Sequence, residues 1–278
     1  MVKASVVWPP ITTIGDGSGA VVVAAVFDVD GTLIDKVAAI HFTLWLAMKS
    51  SWPRFALLLL VFPLFIAALL LADKASRVYS NRMLTFVQFA GLRAPQTALL
   101  CAQYMRAHLA SRVLTAAVRR LRWHVARGHT VFLVSAGPLP FVQALARALG
   151  GVHAVCATPL QAVAGRAGAP AVLTGRVDGP CGIVGEHKVA AVHALAACAE
   201  GGALDLSAAS YAYGDHHSDI PILRLARHAV AVNAGGALRE AAERSGWELM
   251  AAAREGWPAP GSELEAGAPP GAAAASKE

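Results

Sequence analysis

The chain has 278 residues, 56% of them hydrophobic and only 15% charged, against roughly 25% charged in an ordinary soluble domain. That composition excludes disorder over most of the length and leaves room for one or two packed domains. Lys and Arg outnumber Asp and Glu by 24 to 18, yet no basic block exceeds a pair, so the net charge of +6 argues against a nucleic-acid partner and fits attraction of anionic substrates or lipid head groups.

In chain order, residues 1–20 read as a flexible N-terminus, because Pro9 and Pro10 interrupt the apolar residues and Gly15 to Gly19 follow. That is a poor pattern for a signal peptide. Val21 to Phe27 (VVVAAVF) is a continuous apolar, β-branched run, as expected of a strand buried on both faces of a parallel sheet. It ends at Asp28 within FDVDGTLI. Residues 36–112 then carry no strand signal and read as a helical insertion. Within it, Val37 to Met48 and Phe55 to Ala72 are apolar runs separated by Ser50 to Pro53, which predicts a helical hairpin over 37–72. The second run, FALLLLVFPLFIAALLLA, is just long enough to reach across a bilayer core of roughly 30 Å. By length alone it is a membrane element or a buried helix.

Beyond the insertion, strands are predicted at Thr130 to Val134, Ala208 to Tyr213 and Ala229 to Val232. Helices are predicted at Val113 to Arg127, Leu139 to Leu149, Lys188 to Cys198, Pro221 to Ala226 and Ala237 to Ser245. Alternation at this spacing predicts a doubly wound, Rossmann-like α/β parallel sheet, built from residues 21–35 and 113–252, with the helical cap inserted after its first strand. Gly151 to Gly182 reads as a β-rich excursion with one strand at Ala171 to Val177. Residues 253–278, rich in Pro, Gly and Ala, read as a disordered tail. Cys101, Cys156, Cys181 and Cys198 form no CxxC pair, which suits packed, reduced thiols in the cytosol.

In a doubly wound sheet, groups just beyond the carboxyl ends of neighbouring strands meet in one crevice. Asp28, Ser135 and Asp215 all hold that position. Asp28 and Asp30, two residues apart after a buried strand, suit a nucleophile and a proton donor; an Asx-rich turn is the structural alternative. Gly31 and Thr32 would turn backbone N–H groups towards an anion. YGDHHSDIPIL adds Asp215 and Asp219, hard oxygen donors without a zinc-type Cys or His pair, and these select Mg²⁺. In SAGP, Ser135 and Ala136 end a strand where Pro138 would open a helix, so a hydroxyl and free N–H groups would hold a phosphate. Lys188 is the single Lys between Lys74 and Lys277 and opens a helix, a suitable place for a compact positive charge.

The order of these four pieces, FDVDGTLI, Ser135 after TVFLV, Lys188 and GDHHSD, resembles the haloacid dehalogenase superfamily over about Val21 to Met250. Within it, YAYGDHHSDIPIL and AVNAGGALREAAERSGWEL look like the phosphoserine-phosphatase-like subgroup. The apolar cap and VLTGRVDGPCGIVGEHK also look like the phosphatase-like half of plant glycerol-3-phosphate acyltransferases. The resemblance implies an aspartyl-phosphate on Asp28 and acid/base work by Asp30. It further implies Mg²⁺ held by Asp28, the Asp30 carbonyl and Asp215 with Asp219 in support, and phosphate binding by Gly31, Thr32, Ser135, Ala136 and Lys188. One departure is the segment DKVAAIHF, which lacks the acid that reads the amine in phosphoserine phosphatases. Asp73 is the single acid from Lys36 to Val177, so the sequence argues against phosphoserine.

This motif order bears on the apolar run. Asp28 precedes it and Ser135, Lys188 and Asp215 follow, so one membrane crossing would separate a nucleophile from its phosphate ligands. An active phosphatase therefore leaves a hairpin seated on the cytoplasmic face of a membrane, or a cap buried by packing or in a homodimer. The expected activity is Mg²⁺-dependent hydrolysis of a phosphorylated small molecule or lipid. A phosphotransferase or mutase with the same intermediate and a non-catalytic membrane-associated scaffold are the alternatives.

Overall fold

The structure is a computed structural model that describes residues 23–165, 168–178, 183–198 and 210–258. A six-stranded parallel sheet runs in the order β3 (Ala154–Thr158), β2 (Thr130–Pro138), β1 (Ala24–Phe27), β6 (Ser210–Gly214), β7 (His228–Val232), β8 (Glu248–Met250). β1 lies at the centre and is buried throughout, as its unbroken apolar run requires. Its side chains alternate between two cores. Ala25 and Phe27 face the cluster that includes α5 (Thr115–Ala126) and α6 (Leu139–Leu149); Ala24 and Val26 face α7 (Glu186–Cys198) and α8 (Ile220–Leu225). α9 (Gly236–Ser245) closes the second face beside β7. The doubly wound α/β fold expected from the sequence is thus the fold observed.

The insertion leaves after β1 and consists of α1 (Ala38–Ser50), α2 (Trp52–Ala75), α3 (Arg77–Phe89) and α4 (Ala94–His108). Its two ends are joined at the core: Ile34 bridges Val113, and the Asp35 N–H donates to the Arg112 carbonyl at 2.9 Å. α1 and α4 belong to the main core through Phe42, Leu46, Cys101 and Tyr104. The predicted hairpin therefore divides in two. Its first arm is packed against the sheet domain, while α2 meets the protein along one side only, where Leu58 and Phe65 pack with Ala47, Met83 and Val87 of α1 and α3.

Three boundaries differ from those read in the sequence. The Gly151–Gly182 excursion splits, because β3 joins the main sheet and only β4 (Leu160–Val163) and β5 (Val172–Val177) form a separate antiparallel pair. That pair docks on the cap, where the Gly91 N–H donates to the Leu173 carbonyl and the Ala94 N–H to the Ala171 carbonyl, each at 2.9 Å. Ala253 to Pro258, read as the start of the tail, are held to α5: the Thr115 N–H donates to the Ala253 carbonyl, and Arg122 lies over the Trp257 ring at 4.8 Å. The short strand β8 carries too few residues to register as a periodic pattern. Residues 1–22 and 259–278, with Cys181, lie outside the described residues. Cys101 and Cys156 are buried and unpaired, and burial pushes their thiols up, to about 12 and about 11.

Candidate active site

The site forms where β1, β2 and β6 end. The Asp28 N–H donates to the Tyr213 carbonyl at 3.0 Å, the last rung between β1 and β6, and the Phe27 ring stacks on Tyr213 with centroids 4.1 Å apart. Just past this fixed point the chain coils, with the Leu33 and Ile34 N–H groups donating to the Val29 carbonyl at 2.9 and 3.1 Å. The coil requires Gly31 at φ +91°, and a Cβ there would fall 2.2 Å from Asp215 Oδ2. Opposite, a Cβ on Gly214 would fall 2.6 Å from Asp219 Cβ, so glycine lets the second acidic loop fold back on its strand.

Asp28, Asp215 and Asp219 are brought together and buried, each offering an oxygen within 4.8 Å of the others. Lys188 Nζ, also buried, donates to Asp28 Oδ1 at 2.5 Å and to Asp219 Oδ1 at 2.6 Å. The other Asp219 oxygen accepts from the backbone N–H groups of Asp215 and His216 at 3.3 and 3.1 Å, which makes this carboxylate the organiser of its loop. Thr32 Oγ1 donates to Asp28 Oδ2 at 3.2 Å. Lys36, at the base of the cap, reaches in so that its Nζ lies 2.6 Å from Asp215 Oδ2.

Asp30 stands apart from the three clustered carboxylates, on the side of Ser135 and Gly137. A Cβ on Gly137 would come within 3.0 Å of Ser135 Oγ and 3.3 Å of Asp30 Oδ2, so the hydroxyl and the carboxylate flank the same glycine. Burial raises the Asp30 carboxyl, helped by Asp215, while Arg77, Lys188 and Ser135 pull it down. Burial likewise pushes Asp28 up to about 8, with Asp219 and Asp215 adding to the push and Lys188 opposing it. Burial also works against charge on Lys188, but Asp28 and Asp219 outweigh it and hold the ammonium above its ordinary range. The cluster thus has more negative charge than its ammonium groups offset. Its donors are all carboxylate oxygens, so a hard divalent cation such as Mg²⁺ fits the residues present.

Two expectations about anion-binding N–H groups change. The Gly31 N–H donates to the Ile34 carbonyl at 2.7 Å and the Thr32 N–H to the Val29 carbonyl at 3.3 Å, so both are spent inside the turn and Thr32 acts through its hydroxyl. β2 runs on through Pro138 with a register shift against β3, and α6 opens only at Leu139. Ser135 therefore sits in an irregular strand end, where its Oγ accepts from the Gly137 N–H at 2.9 Å. Ala136 lines the cavity with Gly137.

The cavity has a volume of about 400 Å³, its floor set by Asp28, Asp30, Lys188, Asp215 and Asp219 and its roof by the cap. Sequence reasoning did not single out the roof residues. Arg77, Ser80, Asn81, Leu84, Thr85 and Gln88 of α3 all line it. Their spacing of three and four residues is a mostly polar stripe in an otherwise apolar insertion, and that was the readable signal. Asp73, the cap's one acid, also lines the cavity and accepts from the Ser80 hydroxyl at 2.7 Å. His216, beside Asp215, is lowered to about 4 by burial, with Arg77 and His217 adding.

Residues 25–224 match the haloacid dehalogenase-like hydrolase family. The chain is 29% identical to phosphoserine phosphatase SerB1 of Mycobacterium tuberculosis (81% of this chain, 70% of that protein). It is 31% identical to Rv3661, a probable phosphatase of the same species (82% and 74%). A crystal structure of a Bordetella pertussis Tohama I protein of unknown function superposes with a TM-score of 0.67 at 25% identity, covering 83% of this chain and 99% of that one. A phosphoserine phosphatase holding a phospho-aspartyl intermediate analogue shares the fold, with a TM-score of 0.51 at 18% identity over 84% and 94%. None of these relatives is a plant acyltransferase. With the family matched over most of the chain and its carboxylate cluster assembled around Lys188, the protein belongs to the haloacid dehalogenase-like hydrolases.

Proposed function

We propose that the protein hydrolyses phosphomonoesters with Mg²⁺, through an aspartyl-phosphate on Asp28. The observation that carries this reading is the buried Lys188 held at 2.5 Å from Asp28 and 2.6 Å from Asp219, beside Asp215. A carboxylate attacks a dianionic ester only where positive charge offsets the repulsion, and Lys188 is fixed where its charge favours the ionised form of Asp28 against the effect of burial and would face the incoming phosphoryl group. Asp28 attacks phosphorus, and the ester oxygen leaves with the proton held by Asp30, whose raised carboxyl suits a donor. Asp30, then ionised, takes a proton from the water that cleaves the aspartyl-phosphate, releasing phosphate and restoring Asp28. Thr32, bonded to Asp28, orients that carboxylate, and Ser135, beside Asp30 across Gly137, offers with it a hydroxyl to the phosphoryl oxygens. Asp28, the Asp30 carbonyl and Asp215 would hold Mg²⁺, with Asp219 steadying the loop; the ion supplies charge neutralisation at the phosphoryl oxygens when bound.

We infer that the substrate is the phosphate of a small or amphipathic alcohol. Ile40, Phe42, Leu69, Leu70 and Leu84 give the cavity an apolar wall for the alcohol, while Arg77 and Asn81 stand on the polar side of the roof. Phosphoserine is the substrate named for the SerB1 relative. Here the cap's one acid, Asp73, lines the cavity together with the cations Lys36 and Arg77, which leaves no surplus of negative charge on that side to hold an amine. The test is turnover of p-nitrophenyl phosphate, lysophosphatidate and phosphoserine by the wild type and Asp28→Asn, with and without Mg²⁺. Mg²⁺-dependent release of phosphate by the wild type alone supports the reading. Equal rates for the two proteins overturn the nucleophile, and a preference for phosphoserine overturns the substrate class.

A further inference from the structure

Helix α2 is apolar on two sides. The inner side is packed on α1 and α3 through Leu58 and Phe65. The outer side presents Leu57, Leu60, Val61, Leu64 and Leu71, spaced mostly by three and four residues and 38–80% exposed, and no charged residue occurs from Phe55 to Ala72. At 24 residues the helix is roughly 36 Å long, so this stripe is a contiguous apolar surface of a size that soluble monomers seldom leave in water.

Charge decides what covers it. From Lys36 to Arg112 the chain carries nine Lys or Arg and one acid, Asp73; Lys36 and Arg77 line the catalytic cavity and Arg112 pairs with Asp35, which leaves six cations elsewhere on the insertion against that one acid. A second copy docked stripe to stripe would set one cationic cap against another, with a single acid on each to offset the repulsion. An anionic phospholipid surface offers both hydrocarbon for the leucines and negative charge for the cap. The ends of the helix suit that boundary: Trp52 is 69% exposed at the start, beside exposed Lys49, and exposed Lys74 stands at the finish. Because the inner side stays in the protein and α1 and α3 hold both ends to the same body, the helix lies in the surface and does not cross it.

We propose that α2 is the docking surface for an anionic phospholipid bilayer, its outer stripe buried at the boundary between head groups and acyl chains. The proposal stands apart from the catalytic reading, since Leu60 and Leu64 do not line the cavity. The full chain is sedimented with vesicles of phosphatidylcholine alone and of phosphatidylcholine with phosphatidylglycerol. The wild type is expected to pellet with the mixed vesicles and to bind at least about tenfold more weakly to the neutral ones or in high salt. The double variant Leu60→Glu, Leu64→Glu is expected to bind the mixed vesicles about a hundredfold more weakly, with an unchanged circular-dichroism spectrum and unchanged p-nitrophenyl phosphate turnover. Three results would overturn the proposal: no pelleting of the wild type, equal pelleting of the variant, or a wild-type dimer without vesicle affinity that the variant converts to monomer.

Discussion

Lys188 is buried at the centre of the site with two carboxylates on one ammonium. Replacing it by Met leaves Asp28 and Asp219 without their shared ammonium partner, and breaking a buried ion pair from one side costs about 3–5 kcal/mol. Lys188→Met is therefore expected to melt well below the wild type, with millimolar Mg²⁺ recovering part of the loss; an unchanged melting temperature would refute the network. Gly31→Ala meets both a positive φ and a clash with Asp215 Oδ2, so it is expected to lower kcat sharply and to destabilise by about 1–3 kcal/mol. Asp30→Asn is expected to reduce kcat by about 10²–10⁴-fold. The residues Asp28, Asp30, Ser135, Lys188, Asp215 and Asp219 were legible because each follows a strand or opens a helix in a recognisable string. Lys36 and Arg77 were not, since a lone cation beside an apolar run says nothing about where it points until the cap is folded over the sheet.

Under the strand ends, His124 Nδ1 lies 2.7 Å from His129 Nδ1, and His124 Nε2 lies 2.8 Å from the Tyr213 hydroxyl. One proton serves the two facing Nδ1 atoms, so adding a second sets like charges together. Burial lowers His124 well below 6.5, with His129, Arg120 and Arg127 adding, and burial with Arg127 lowers His129 to about 4. The unfolded chain takes up these protons below about pH 6.5 while the folded chain refuses them, so stability is full above that pH and falls as pH drops towards 4. Each histidine contributes a slope approaching about 1.4 kcal/mol per pH unit in that window. Urea unfolding between pH 7 and 5 should show this loss, and His129→Gln should make it shallower while His124 keeps its share; a flat wild-type profile would contradict the network. At this same scale the strands were readable as apolar runs, but β2 was read four residues short because Ser135, Ala136 and Gly137 lack any strand propensity. They lie in the register shift between the Val134–Cys156 and Pro138–Thr158 pairs, where the Thr158 hydroxyl donates to the Ala136 carbonyl at 2.7 Å.

The molecule has one principal core, shared between sheet and insertion. Phe42 of α1 meets Phe141 of α6 with centroids 4.7 Å apart, and Trp45, Leu46, Cys101 and Tyr104 continue the same cluster. We propose that cap and core unfold as one unit, because removing residues 36–112 strips several side chains worth about 1.5–3 kcal/mol each from the sheet face. A single calorimetric transition is expected for the full chain, and a chain with a short Gly-Ser link between Asp35 and Val113 is expected not to fold cooperatively. A stable, soluble core from that excision would show that the cap is an independent module. The composition announced this arrangement only in part. An apolar insertion was plain in the sequence, but which of its two runs would be packed and which left outside depended on contacts with α4 and α6 that no local pattern encodes.

The central claim is that Asp28 carries the phosphoryl group. Acid quenching of Asp30→Asn during turnover of p-nitrophenyl phosphate with Mg²⁺, followed by peptide mass spectrometry, tests it most directly, because this variant should form the acyl phosphate faster than it hydrolyses it. One added phosphoryl group on the peptide containing Asp28, absent from the double variant Asp28→Asn, Asp30→Asn, is the expected result. Turnover with no phosphoryl group on that peptide, or with the group on another residue, would contradict the account.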